Sequence, residues 1–143
     1  ISGDLIDMSE VNDDMFSQKM MGDGVAIEPT GDTVVAPADA EVTMVMEESL
    51  HAIGLRLDNG AELLIHIGID TVKLNGRGFQ LLTKQGVKVK AGDPLIKFDP
   101  QVIKEAGYQT TVIMAVTNSS DYPQMKKQPD QQVTADETPI LTF

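Results

Sequence analysis

The chain of 143 residues has no cysteine, no tryptophan and only two histidines, His51 and His66. Without cysteine there is no disulfide scaffold, no thiolate zinc site, no iron–sulfur cluster and no thiol nucleophile. The absence also fits a reducing compartment, and we expect a cytoplasmic location. Basic residues are scarce: 11 Lys and Arg stand against 22 Asp and Glu, for a net charge of −11. That balance excludes the basic footprint of a nucleic-acid binder and of a protein held to an anionic membrane. It leaves a basic protein partner, or plain solubility. Long apolar runs are missing too. The longest, Leu63 to Ile69, is far short of the roughly 20 residues that span a bilayer. The opening Ile1-Ser2-Gly3-Asp4 has neither the basic start nor the apolar stretch of a signal peptide. No linker splits the chain, so we read residues 1–143 as a single domain, and the absence of an initial Met leads us to expect that it is excised from or related to a longer chain. The length suits one domain with its own hydrophobic core.

Short alternating runs bounded by turn residues are abundant. Val25–Ile27, Thr33–Val35, Val42–Val45, Ile53–Leu57, Leu63–Ile69, Val87–Val89, Leu95–Phe98, Thr111–Val116 and Ile140–Leu141 read as strands. Pro29-Thr30-Gly31-Asp32, Asp58-Asn59-Gly60, Asn75-Gly76 and Ala91-Gly92-Asp93 read as turns. The expected fold is all-β, an antiparallel sandwich or barrel with little helix. A short helix is expected from Pro100 to Ala106, capped by Asp99, and a helical turn within Ser9–Gln18. The polar stretch Asn118–Asp136 reads as a surface excursion before a last strand near Thr138–Phe143. Val34–Val42 and Val87–Ile96 echo each other as strand, tight turn, strand. This texture is similar to that of biotinyl and lipoyl carrier domains, and implies a barrel-sandwich geometry rather than a function.

The most informative stretch is Ser49–Thr71. Asn59-Gly60 suits a two-residue type I′ turn. That turn sets Leu57 against Glu62, Leu55 against Leu64 and Ile53 against His66. His51 then shares a sheet face with His66, diagonally across adjacent strands and within side-chain reach. Gly68 would face His51 and leave room beside the pair, and Asp70 would continue the face. A three-residue loop would break this register. Two convergent imidazoles admit two chemistries. With a carboxylate they could hold zinc, although such a site normally takes three protein ligands. Alternatively, one ring attacks phosphorus through an unprotonated nitrogen while its other nitrogen is fixed as N–H. The second ring would donate to the phosphoryl oxygens as charge develops on them. Two unrelated polar residues, one packed and one exposed, are the plain alternative.

Leu64–Val72, preceded by His51-Ala52-Ile53, resembles the glucose-family IIA domain of the bacterial sugar phosphotransferase system. Met20–Ile27, Val35-Ala36-Pro37, Gly76–Phe79, Val89–Asp93 and Glu137-Thr138-Pro139 follow in the family's order along essentially the whole chain. The resemblance implies that His66 accepts a phosphoryl group on Nε2 from the phosphocarrier protein HPr. The group then passes to the IIB domain of a sugar permease, with no cofactor required and no membrane contact except through the permease. It implies that His51 supports the phosphate, that Ser49 orients His51 where the family usually has Thr, and that Gly68 offers its carbonyl to His66. Asp13 and Asp70 match acidic residues that flank the site and meet basic groups of IIB. Met15, Phe16 and Met21 fall beside Asp13 and Asp14, so an apolar patch with an acidic rim is expected there, suited to partner docking. Met46 and Leu64 stand where glucose-specific members carry aromatics, and we place Leu64 on the partner face.

Two other classes share parts of this pattern. A zinc-dependent hydrolase on a related barrel-sandwich fold is the main alternative. A lipoyl-type carrier needs a lysine at a hairpin tip, whereas the turn after Val42-Thr43-Met44 carries Glu47-Glu48. His51–Leu55 and Ile103–Tyr108 resemble IIA segments fused to β-glucoside, sucrose or trehalose permeases, a sugar class that the IIA residues themselves never touch.

Overall fold

The computed structural model describes residues 3–7, 23–29, 31–46, 48–58, 60–69, 71–118, 126–127, 131–133 and 141–142. In chain order they form β1 (Gly3–Asp7), β2 (Asp23–Pro29), β3 (Thr33–Val35), β4 (Ala40–Val45), β5 (Ala52–Leu57) and β6 (Glu62–Ile67). A 3₁₀ turn at Thr71–Leu74 leads to β7 (Phe79–Leu81), β8 (Lys88–Val89), β9 (Pro94–Phe98) and helix α1 (Pro100–Glu105). β10 (Val112–Val116), β11 (Lys126–Lys127), β12 (Gln131–Val133) and β13 (Leu141–Thr142) follow. The all-β expectation holds. Eight strands form one sheet in the order β12-β1-β2-β10-β6-β5-β4-β8, and β3-β9-β7 and β11-β13 form two smaller sheets. Every strand pairing among the described residues is antiparallel. The helical turn expected within Ser9–Gln18 lies outside the described residues. The strands absent from the sequence reading are β1, β7, and β11 and β12 inside the stretch read as a surface excursion.

The core lies on one face of the large sheet, where it meets the three-stranded sheet and α1. Val25, Val42, Ile53, Leu55, Leu63, Ile65, Ile67, Leu95, Ile96, Phe98 and Ile103 belong to one buried cluster. The two echoing segments interlock. β4 pairs with β8 in the large sheet, and β3 pairs with β9 in the small one, so each segment starts in one sheet and ends in the other. Their turns clasp: Ala36 N–H donates to Asp93 O at 2.8 Å, Gly92 N–H to Ala36 O at 2.8 Å, and Ala91 N–H to the Asp39 carboxylate at 2.9 Å. Helix α1 starts as expected, with the Asp99 carboxylate accepting from Gln101 N–H at 3.0 Å and Pro100 at the first position. No helix among the described residues is long and apolar enough to cross a membrane.

The β5–β6 hairpin corrects the expected register. Leu57 N–H donates to Ala61 O at 2.9 Å, so three residues rather than two connect the strands, and Gly60 at φ 89° takes the left-handed place that closes such a loop. The ladder pairs Ala52 with His66, Ile53 with Ile65, and Leu55 with Leu63. The physical reason is burial. The expected register would set Ile53 and Leu57 on one face with His66 and Glu62. The observed one sets Ile53 and Leu55 with Leu63, Ile65 and Ile67, all buried. Asn118 fastens the hairpin, its Oδ1 accepting from Glu62 N–H at 2.9 Å and its Nδ2 donating to Gly60 O at 3.1 Å. Asn118→Ala should cost about 1–2 kcal/mol. Urea denaturation checks this, and an unchanged midpoint would show that water replaces both bonds.

Candidate functional site

His66 projects from the face of the large sheet opposite the core. Along β6, Leu63, Ile65 and Ile67 are buried, while Glu62, Leu64 and His66 are half-buried. The cross-strand neighbours of His66 are Ala52 on β5 and Ile113 on β10, both buried. Leu64 shares that face two residues earlier, between Gly54 and Ala115. Ala52, Gly54 and Ala115 are small, whereas Ile113 puts a large, fully buried side chain beside the histidine.

The chain bends immediately after β6 and supplies the partner of the His66 ring. Nδ1 of His66 lies 2.7 Å from Gly68 O. A carbonyl only accepts, so Nδ1 carries the proton and Nε2 carries the lone pair. Gly68 has φ 78°, and a Cβ there would run into the Thr71 methyl and stand 2.9 Å from Gln109 O. Gly68 N–H donates to Thr111 O at 2.8 Å, and the Thr71 hydroxyl donates to Ile67 O. The acceptor is therefore held from both sides, by the 3₁₀ turn and by the lead into β10. Gly68 lies beyond the strand rather than on its face opposite His51, as the expected register had it.

His51 reaches His66 by another route than strand alternation. Its carbonyl accepts from Ile67 N–H at 2.7 Å, so the ladder sets it opposite Ile67, a core residue. Its ring nevertheless lies edge-to-face with that of His66, with centroids 4.7 Å apart and planes at 82°. His51 sits in a bend just before β5, where the alternating pattern of the strand does not bind it. Ser49 Oγ lies 2.8 Å from His51 Nδ1, and both residues are buried.

Burial, and secondly the positive charge of His66 when protonated, lower the His51 imidazole from its ordinary 6.5 to about 4. At pH 7 it is neutral. An unfolded His51 takes up a proton near 6.5 while the folded one resists to about 4. The stability from this ring is complete above pH 6.5 and falls as the pH drops toward 4, by at most about 3 kcal/mol. In urea titrations between pH 7 and 4.5 the wild type should lose more stability than His51→Gln. Parallel losses would contradict the burial of a neutral ring.

The structure thus brings His66, His51, Ser49 and Gly68 together, with Leu64 on the same face as His66. Asp13, Met15, Phe16, Met21 and Asp70 lie outside the described residues. Among the described residues, no three His, Asp or Glu side chains cluster as a metal site would need. Sequence reasoning missed Thr71 as the prop of Gly68. The signal available was a small β-branched hydroxyl residue three positions after a glycine that cannot accept a Cβ.

Paired imidazoles, one with its Nδ1 proton committed to a carbonyl, on an antiparallel β-sandwich, define a class: the histidine phosphoryl carrier. Residues 1–122 match the family described as phosphoenolpyruvate-dependent sugar phosphotransferase system, EIIA 1, and the chain belongs to that family. Its members are phosphotransferase components that work through a phosphohistidine, and this chain is a phosphoryl carrier of that system. It is 42% identical over 143 residues to the glucose-specific EIIA component of Halalkalibacterium halodurans, covering all of this chain and 82% of that one. It is 48% identical over 122 residues to the glucose-specific EIIBCA component of Corynebacterium glutamicum, covering 85% of this chain but only 18% of that longer protein. The solved structure of glucose permease IIA from Mycoplasma capricolum superposes with a TM-score of 0.85 at 30% identity, over 98% of this chain and 90% of that one. Nothing in these likenesses supports the zinc-hydrolase alternative.

Proposed function

We propose that His66 is the phosphorylated residue, loaded by phospho-HPr and unloaded by the IIB domain of a sugar permease. The observation that carries this is the 2.7 Å bond from His66 Nδ1–H to Gly68 O, which leaves the Nε2 lone pair as nucleophile. In the loading step the Nε2 lone pair attacks phosphorus. The bond between phosphorus and the histidine nitrogen of HPr breaks, and its electron pair returns to that ring. Unloading is the same displacement with a nucleophile of IIB attacking and His66 leaving. No general base is needed, because the imidazole already has a lone pair, and we write the exchange without a cofactor.

His51 steadies the group in transit. When Ser49 donates its hydroxyl to His51 Nδ1, the His51 proton sits on Nε2, and the ring is a neutral donor to phosphoryl oxygens. A partner docked over Leu64 would exclude water from the phosphohistidine. Asp13 and Asp70, with Met15, Phe16 and Met21, are assigned to the same docking face, the acids meeting a basic rim on the partner. We place the carrier in the cytoplasm, alone or joined to its permease. The fused relatives, in which IIA, IIB and IIC parts share one chain, support the IIB assignment. Their descriptions name glucose and glucoside, and do not narrow the sugar for this chain. Incubation with HPr, Enzyme I and phosphoenolpyruvate should add one phosphate by intact mass, mapping to His66. An unmodified protein, or phosphate on another residue, would overturn the assignment.

A further inference from the structure

Two non-glycine residues among those described have a positive φ: Leu50 at 55° and Asn75 at 52°. Asparagine tolerates that conformation, but leucine has no polar side chain to compensate for it. Leu50 stands between Ser49 and His51, the two buried residues joined at 2.8 Å. Its N–H closes a turn onto Met46 O at 2.7 Å. Gly76, which follows the second left-handed residue, lies against this same turn. A Cβ on Gly76, next to Asn75, would stand 2.7 Å from Glu48 O and 3.7 Å from Leu50 Cδ1. The segment that props Gly68 at one end, through Thr71, therefore buttresses the Ser49–His51 turn at the other.

A device at this point is needed. The ladder puts His51 opposite Ile67, on the side of Ile53 and Leu55, yet its ring lies 4.7 Å from that of His66 on the opposite face. We infer that Leu50 is a positioning residue for phosphoryl transfer: its left-handed backbone, with Gly76 packed against it, swings the His51 ring around the N-terminal end of β5 onto His66. The inference rests on the carrier reading above only for its consequence, not for its geometry.

A β-branched residue is the poorest substitute in a left-handed position, and asparagine a good one. The His51 imidazole is titrated by NMR in the free protein, with no partner present. Wild type should titrate at about 4. Leu50→Val should move the value upward toward 6.5, as the ring leaves its buried seat. Its onward transfer to IIB should fall about tenfold or more, equivalent to about 1.4 kcal/mol at the barrier, while the final extent of His66 phosphorylation stays near that of wild type. Leu50→Asn should restore both the titration and the transfer rate, which loss of leucine packing alone would not permit. Gly76→Ala, which leaves Leu50 in place and disturbs only its buttress, should shift the titration in the same direction and serves if Leu50→Val does not fold. The inference is overturned if both disruptive variants keep His51 near 4, or if Leu50→Asn loses as much as Leu50→Val. Failure of the wild type to accept phosphate would instead sink the carrier reading and leave the titration result standing.

Discussion

His66→Ala should accept no phosphate from phospho-HPr under conditions that fully load the wild type. The substitution removes the atom that the geometry prepares for attack, Nε2, which keeps its lone pair because the ring proton on Nδ1 is committed to Gly68 O. The loss should be complete rather than partial. His51 cannot replace it: that ring is buried, and its Nδ1 is taken up by Ser49. The fold should survive. His66 is half-buried on the face opposite the core, so alanine leaves the cluster of Ile53, Leu55, Ile65 and Ile67 untouched. Stability should change by only about 1–2 kcal/mol, since the bond to Gly68 O and the ring contact with His51 are lost from a half-buried position. Intact mass after incubation with Enzyme I, HPr and phosphoenolpyruvate, together with a denaturation midpoint, separates loss of chemistry from loss of fold. Phosphate on the alanine variant would remove His66 from the mechanism.

His51→Gln should split the two half-reactions. Loading draws on the His66 lone pair, which the variant retains, so phosphate should accumulate to nearly the wild-type extent. Passing it on requires the phosphoryl oxygens to be held while phosphorus moves from His66 to the next nucleophile. There the fixed donor of a rigid ring matters most. Removing one such preorganised donor costs about a hundredfold in rate, close to 3 kcal/mol. Glutamine offers an N–H, but on a flexible side chain that Ser49 does not orient. Rapid-quench transfer from the isolated phosphoprotein to IIB measures this directly. Equal rates for wild type and variant would show that His51 has no part in the chemistry. Ser49→Ala should follow the same pattern more weakly, because it frees the ring without removing it.

The hairpin shows where sequence reasoning succeeded and where it slipped. Both strands, their antiparallel pairing and the turn at Asp58-Asn59-Gly60 were legible. The loop length was not, because Asn-Gly suits a two-residue turn while a terminal glycine equally suits a three-residue one. The tie could have been broken by asking which residues each register buries. One choice mates Ile53 and Leu57 with His66 and Glu62; the other mates Ile53 and Leu55 with Ile65 and Leu63, which is the pairing found. The histidines meet even so, because His51 lies in a bend outside the alternating strand. That bend has no sequence signature: Ser49-Leu50-His51 holds no glycine or asparagine to announce a left-handed residue at position 50.

Composition and patterning alone determined that this is an acidic, cysteine-free, all-β domain, because alternation, turn residues and charge are local properties of the chain. The quoted motifs, taken in order, determined its family. Only the tertiary structure decided how a ring from the bend before β5 and a ring on β6 come into contact. That contact depends on which residues the register buries, on a left-handed leucine with a glycine of another segment packed against it, and on a glycine carbonyl fixed by a 3₁₀ turn on one side and the lead into another strand on the other. Each is set by packing and hydrogen bonding between elements, which the identity of a residue and its immediate neighbours does not reveal.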